Sequence, residues 1–123
     1  MGALDSRHML RPRLKLWIES DDGGVGLSEW RVALLEAVAE HGSLVAAARA
    51  LGVPHRTAWQ RIQEMEACLG THLVDTTSGG ASGGSSQLTA SGRELVERYQ
   101  ALRAGLEEVV QSRYRDLFGV PTR

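Results

Sequence analysis

Glycines and helix-capping residues divide residues 28–70 into three short segments, and this division constrains the fold more than any other sequence feature. Serine caps helix N-termini well, and glycine readily takes the left-handed conformation that ends a helix. The capping serines are Ser28 and Ser43, and the terminating glycines are Gly42, Gly52 and Gly70. Because proline is tolerated in a first helical turn but not in a helix interior, Pro54 starts the third helix. The predicted helices span residues 28–41, 44–51 and 54–69.

The length and composition of the chain exclude several classes of protein. Its 123 residues fit one domain with an arm or tail, and exclude two full domains. A net charge of -1 excludes a polybasic protein that coats nucleic acid or anionic membrane through bulk charge alone. The single Cys68 forms no internal disulfide, and we find neither a membrane-spanning apolar run nor a signal peptide. We therefore expect a cytoplasmic protein without a membrane partner.

The N-terminal region predicts an arm followed by a short strand. Residues 1–20 are locally basic, with Arg11 and Arg13 as candidate phosphate contacts. Residues 14–19 alternate between apolar and polar side chains except at Trp17, which indicates a half-buried strand. The acidic and glycine residues that follow predict a turn.

A hairpin is predicted after the third helix. Residues 72–77 are β-prone, and residues 87–89 supply a returning strand. The intervening tip is almost wholly Ser, Gly and Ala, and Leu73 and Leu88 anchor its two sides. We interpret the segment as a β-hairpin with a flexible tip rather than as a domain linker.

The last predicted helix begins at residue 91, ends near residue 118 and carries a heptad seam. The seam residues are Leu95, Tyr99, Leu102, Leu106 and Val109. They either pack on the chain's own core or bind a second chain. A seam of about 25 residues spans about 37 Å, longer than three short helices cover, so we expect part of it to form a dimer interface. Gly105 costs about 1 kcal/mol inside a helix, which a close helix crossing would compensate.

The second and third helices carry the functional signal, because their joint has the requirements of a helix-turn-helix. Such a joint needs a small residue at the crossing, a residue tolerant of a left-handed turn and an apolar anchor after it. Ala48, Gly52 and Val53 meet these requirements. On a helical projection, the third helix turns one apolar side to the core, formed by Ala58, Ile62, Met65 and Leu69.

The opposite side of the third helix presents candidate base contacts. Arg56, Gln60 and Gln63 point outward, with Thr57 at the edge. Arginine suits guanine edges and glutamine suits adenine edges in the major groove, and residues near the helix start reach bases most easily. We predict that Arg56 and Gln60 carry specificity. A solvated helix face without a partner is the alternative.

Further residues are candidates for contacts to the phosphate backbone. Arg61 and Arg49 are predicted phosphate contacts, with surface ion pairing as the alternative for Arg49. The hydroxyls of Ser82, Ser85 and Ser86 in the hairpin are donors of the type that fixes register, although a plain loop explains them equally well. Trp59 is predicted to pack at the helix flank rather than to stack on a base.

These motifs together carry a family resemblance. The run GSLVAAARALGVPHRTAWQRIQEMEACLGTHLV, followed by Leu88-Thr89-Ala90-Ser91-Gly92, resembles the winged helix-turn-helix of LysR-type and ModE-type molybdate-responsive regulators. The Ala58-Trp59 pair and the doubled glycines of the wing favour the ModE type. The resemblance covers roughly residues 28–110. It implies a bacterial transcription regulator that dimerises through its last helix and places two recognition helices in successive major grooves.

The resemblance also has a limit. In ModE-type regulators, molybdate binds in C-terminal domains, which we do not expect in this chain of 123 residues. The His, Cys and acidic spacings predict no metal site, and the glycine-rich wing lacks the lysine of a phosphate-binding loop. No nucleophile or paired-carboxylate motif indicates an enzyme. We therefore expect no cofactor, and molybdate or another small effector has no support in this chain.

The sequence thus predicts a mainly α fold with a small β-hairpin wing. Residues 1–13 form the arm, 14–90 a winged helix-turn-helix domain and 91–123 a C-terminal dimerisation helix. The predicted function is a homodimeric regulator that binds double-stranded DNA at a two-fold related operator. A protein-interaction module of the same fold without DNA binding, and a small oxyanion sensor, are the alternatives.

Overall fold

The computed structural model describes residues 10–77 and 84–119. Within these ranges the chain forms four helices and two antiparallel hairpins of two strands each. In chain order they are β1 (Ile18–Glu19), β2 (Val25–Leu27), α1 (Glu29–His41), α2 (Leu44–Leu51), α3 (His55–Leu69), β3 (Val74–Thr77), β4 (Ser85–Leu88) and α4 (Ala90–Phe118). None of these helices is both long and apolar enough to cross a lipid bilayer.

Local capping sets the bounds of the first three helices, as the sequence predicts. The Ser28 side chain accepts a hydrogen bond from the Arg31 amide, and the Ser43 side chain accepts one from the Ala46 amide, both at 3.2 Å. Each helix then ends at a glycine in the left-handed region. The predicted starts and ends are confirmed, because they depend on interactions within one turn of the chain.

Helix α1 lies at the centre of the core, and α2, α3 and the β3–β4 hairpin pack around it. Its buried side chains are Val32, Leu34, Leu35, Ala37 and Val38. Burial of each larger aliphatic side chain stabilises the fold by about 1.5–3 kcal/mol. This shared core fixes the position of α3 relative to the hairpin, which the functional site requires.

The N-terminal region differs from the prediction. The strand expected over residues 14–19 is present only at Ile18–Glu19, which pairs with β2. The earlier residues instead meet α4, whose Tyr99 hydroxyl donates to the Leu16 carbonyl at 2.7 Å. Gln111 Nε2 likewise donates to the Pro12 carbonyl at 3.4 Å. Side chains of a helix, and not a partner strand, therefore bind two carbonyls of this segment.

The two halves of α4 have different environments. In the first half, Gly92 is buried against the Leu73 carbonyl, and Tyr99 is only 2% exposed. Burial is the main cause that raises the pKa of the Tyr99 hydroxyl. Farther along the helix, Leu102, Leu106 and Val109 are exposed. The residues of the predicted seam therefore fall into a buried group and an exposed group.

This grouping corrects the predicted interface at two positions. Tyr99 and the partly buried Leu95 pack on the chain's own core. They lie there because α4 starts beside the hairpin, and its first turns cover the core before the helix extends beyond it. Leu102, Leu106 and Val109 remain candidates for contact with a second chain.

Candidate nucleic-acid interface

The joint between α2 and α3 has the geometry that the sequence predicts. Gly52 is left-handed with a φ of 72°, and its amide donates to the Arg49 carbonyl at 3.1 Å. The Val53 amide donates to the Ala48 carbonyl at 3.0 Å, which closes the turn. Ala48 and Ala58 are both fully buried, so the two helices pack without bulky side chains between them. The joint is a helix-turn-helix.

Helix α3 separates a core side from an exposed side. Its buried side chains are Ala58, Ile62 and Met65. Arg56, Gln60 and Gln63 are exposed, as predicted, and Thr57 is half-buried at the edge. The exposed side therefore presents one guanidinium and two carboxamides, which are donor groups suited to base edges.

The charge distribution along α3 favours its N-terminal half as the contact surface for a polyanion. Residues 55–63 contain no Asp or Glu. The two acidic residues of α3, Glu64 and Glu66, lie in its second half, and both are held by partners within the chain. A phosphate backbone approaching the first half would meet no unpaired carboxylate on this helix.

The partners of Glu64 involve Arg61, a predicted phosphate contact. The Arg61 guanidinium donates to Glu64 Oε2 at 3.0 Å, and Arg31 pairs with Glu64 Oε1 at 2.9 Å. The three side chains carry a net charge of about +1 at neutral pH, because two guanidiniums share one carboxylate. The Arg61 side chain is 38% exposed, so it remains partly accessible beside the ion pair.

Glu66 connects α3 to the hairpin, a role that sequence reasoning missed. Its Oε2 atom accepts hydrogen bonds from the amides of Leu73 and Val74, at 2.7 and 3.2 Å. His72 Nδ1 lies 3.0 Å from the same oxygen. The carboxylate therefore fixes the first residues of β3 against the end of the recognition helix. A glutamate six residues before a β-prone segment was the only sequence signal for this contact.

The hairpin is positioned as the wing of a winged helix-turn-helix. Strands β3 and β4 pair antiparallel, with Val74 opposite Leu88 and Thr77 opposite Ser85. The Thr89 amide donates to the Leu73 carbonyl at 2.9 Å, which continues the pairing toward α4. Ser82 and the doubled glycines up to Gly83 lie outside the described residues.

The structure places the two predicted serine contacts differently. Ser85 is exposed at the outer end of β4. Ser86 is only 8% exposed, and its amide donates to the Gly42 carbonyl at 2.9 Å. Its hydroxyl is therefore not available on the surface as predicted. Side chains alternate along a strand, so Ser86 shares the inward direction of Leu88. Ser86 attaches the wing to the end of α1.

Trp59 also departs in part from its prediction. It is 44% exposed, so it packs only in part at the helix flank. The indole lines a shallow cavity with His55, Arg56 and Gln60. Elements formed by residues 10–77 and 84–119 leave this flank of α3 partly open. Sequence reasoning missed both His55 and Trp59 as members of the exposed surface.

The remaining candidates occupy surface or structural positions. Arg49 is exposed in the last turn of α2, where it stays a predicted phosphate contact. Cys68 is half-buried, and its Sγ lies 3.5 Å from the Gly24 carbonyl, as expected of a packing residue. Within residues 10–77 and 84–119 no cluster of His, Cys, Asp or Glu is arranged to hold a metal ion.

Comparison with known proteins identifies the family of this chain. Residues 31–93 match the family of bacterial regulatory helix-turn-helix proteins of the lysR type. The chain is 37% identical over 89 residues to the molybdenum-pterin-binding protein MopB of Rhodobacter capsulatus, covering 72% of this chain and 33% of MopB. It is 40% identical over 81 residues to the molybdenum transport protein ModE of Azotobacter vinelandii, covering 66% of this chain and 30% of ModE. The chain thus spans about a third of the length of these relatives.

The fold also matches a solved structure that contains DNA. The structure is the CbnR_DBD-DNA complex, with a TM-score of 0.56 and 27% identity, covering 71% of this chain and 95% of that one. The helix-turn-helix joint, the wing and the family match over residues 31–93 agree. This chain belongs to the lysR family of bacterial regulatory helix-turn-helix proteins.

Proposed function

We propose that this protein is a transcription regulator that binds double-stranded DNA as a homodimer at a two-fold related operator. The N-terminal half of α3 enters the major groove, where Arg56 and Gln60 read base edges. The observation that carries the proposal is the exposed face of Arg56, Gln60 and Gln63 on a helix whose two carboxylates are already engaged. A solved relative of the same fold is a DNA complex, which agrees with this role.

Phosphate contacts supply most of the affinity in this proposal. Arg49, the partly accessible Arg61 and the exposed Ser85 hydroxyl donate to phosphates on either side of the groove. Because the net charge is only -1, non-specific binding is modest. The affinity for the operator falls with salt in proportion to the number of phosphates neutralised.

The exposed half of α4 supports a dimer. Leu102, Leu106 and Val109 recur at spacings of four and three residues, so they lie on one side of the helix. α4 contains 29 residues and is about 43 Å long, and its second half extends past the core. Pairing of two copies through this side buries the apolar stripe. The two recognition helices then meet half-sites about 34 Å apart, or a multiple of that distance.

Selection of bound fragments from random-sequence duplex DNA tests the proposal. We expect the full chain to enrich an inverted repeat with a fixed half-site spacing. Arg56→Ala should lose the enrichment at one base pair per half-site. Arg98→Ala is the matched control, because it removes an exposed guanidinium from α4 without touching α3. Recovery of no preferred sequence by the parent chain would overturn the proposed function.

A further inference from the structure

We propose that Trp59 is a specificity-determining residue whose indole contacts the C5-methyl group of a thymine in the major groove. The proposal rests on the DNA-binding function proposed above. It adds an apolar element to a recognition surface that otherwise consists of Arg and Gln donors.

The first support is the exposure of an apolar side chain where burial would stabilise the fold. Trp59 leaves 44% of its surface accessible, on the second turn of α3. Among residues 10–77 and 84–119 its indole Nε1 has no hydrogen-bond partner, whereas the indole of Trp17 donates to Glu19 at 2.7 Å. No hydrogen bond within these residues therefore accounts for the indole nitrogen at this position.

The second support is the position of Trp59 relative to the polar base contacts. Trp59 lines one shallow cavity with His55, Arg56 and Gln60. At about 100° per residue, Trp59 lies about 60° from Arg56 and about 40° from Gln63 around the helix. The indole thus borders the side chains predicted to reach base edges, in the half of α3 nearest the DNA.

The third support is the difference between the two flanks of the exposed face. On the flank away from Trp59, Arg31, Glu64 and Arg61 form a connected set of ion pairs. That flank presents charged groups. Only the Trp59 flank of α3 presents a flat apolar group beside the Arg and Gln donors. The exposed face is therefore suited to two adjacent base pairs, one of which displays an apolar group in the major groove.

Thymine supplies that edge. Of the groups that base pairs display in the major groove, the C5-methyl of thymine is the apolar one, and it is read by apolar contact. Guanine and adenine present acceptors and donors that Arg56 and Gln60 already match. The chemistry of the pocket therefore points to a thymine next to the base pair that Arg56 or Gln63 reads.

Removal of single methyl groups from the DNA tests the inference on the intact chain. Each thymine of the selected operator is replaced by deoxyuridine, and the dissociation constant is measured by fluorescence anisotropy. We expect a three- to fivefold loss of affinity at one thymine per half-site, as for removal of about one buried methyl group. In Trp59→Ala the same replacement should have no further effect. Trp17→Phe, the control, should respond as the parent does.

Three results would overturn the inference. A parent that binds the operator but tolerates every deoxyuridine would overturn it while leaving the proposed function intact. Retention of full methyl sensitivity by Trp59→Ala would also overturn it. A parent that binds no duplex would overturn the proposed function and this inference together. The scan of the parent chain needs no variant, so a folding defect in Trp59→Ala does not obscure the test.

Discussion

The exposed face of α3 and the exposed seam of α4 differ in chemistry: the first is mainly polar, and the second is aliphatic. The α3 face presents one guanidinium, two carboxamides and an indole, with its helix carboxylates engaged elsewhere. The α4 seam presents aliphatic side chains at Leu102, Leu106 and Val109. Donor groups suit a nucleic-acid groove, and an aliphatic stripe suits another helix. We therefore propose that the α3 face binds DNA and that the α4 seam binds a second copy of the chain.

The largest expected effect concerns the half of α4 that is not part of the seam. A Cβ atom at Gly92 would lie 2.4 Å from the Leu73 carbonyl oxygen, a backbone atom that moves only if the wing moves. We expect Gly92→Ala to lower the free energy of unfolding by about 3 kcal/mol, measured by urea denaturation.

Gly105 on the same helix is the matched control for Gly92. A Cβ atom at Gly105 would meet nothing within 4 Å. Gly105→Ala should raise the stability of the monomer by about 1 kcal/mol, because alanine is the better helix former. Equal losses in both variants would show that the two halves of α4 do not differ as described.

The next effect sharpens the assignment of the seam. Leu106→Glu places a carboxylate in the proposed interface, and burying an unpaired charge is costly. We expect the dimer dissociation constant to rise on the order of 100-fold by sedimentation analysis. Ala104→Glu adds the same charge to an exposed position on the opposite side of α4 and should leave the dimer unchanged. Equal dimer affinity in both variants would contradict the assignment.

A smaller effect separates the two kinds of arginine near the α3 face. Arg56→Ala should cost about 1–3 kcal/mol of operator binding and relax preference at one base pair. Arg61→Ala should weaken all sequences alike, since we propose that Arg61 contacts phosphate and not a base. Titration against operators with single base changes measures both. A loss in Arg61→Ala that is confined to one base pair would contradict the assignment of Arg61 to phosphate contact.

The smallest effect lies at Tyr99. Tyr99→Phe leaves the Leu16 carbonyl without its donor and should cost about 1 kcal/mol of stability, with dimer and DNA affinities unchanged.

Tyr99 also gives a pH dependence. Burial raises the pKa of Tyr99 in the folded state, so folding disfavours the ionised form. Its contribution to stability is present below the unfolded pKa and is lost as pH rises through the folded value. The fall in stability above about pH 10 should therefore be smaller in Tyr99→Phe. Identical alkaline denaturation curves would contradict this.

Features that depend on neighbours in the chain could be predicted from the sequence. The bounds of α1, α2 and α3 follow from two capping serines, from Pro54 and from the terminating glycines. The helix-turn-helix joint follows from Ala48, Gly52 and Val53. Ser86 was also predictable, because period-two alternation from the anchor Leu88 directs it inward.

Features that depend on distant partners could not be predicted. Residues 14–17 have the alternation of a strand, but Tyr99 of α4 satisfies part of their backbone. The strand β2 has only three residues and pairs across a turn. Trp59 lies about 100° from the core direction, and its exposure depends on which element covers that flank. The spacing of residues within α3 does not predict how much of that flank distant elements cover.

Backbone amide chemical shifts of the labelled chain, recorded before and after addition of the selected duplex, locate the DNA-binding surface most directly. We expect the largest changes in residues 55–63 of α3 and in the outer ends of β3 and β4, with the Trp59 indole signal also shifted. Changes confined to α4 or to residues 10–17, with α3 unaffected at saturating DNA, would contradict the assignment of the recognition surface.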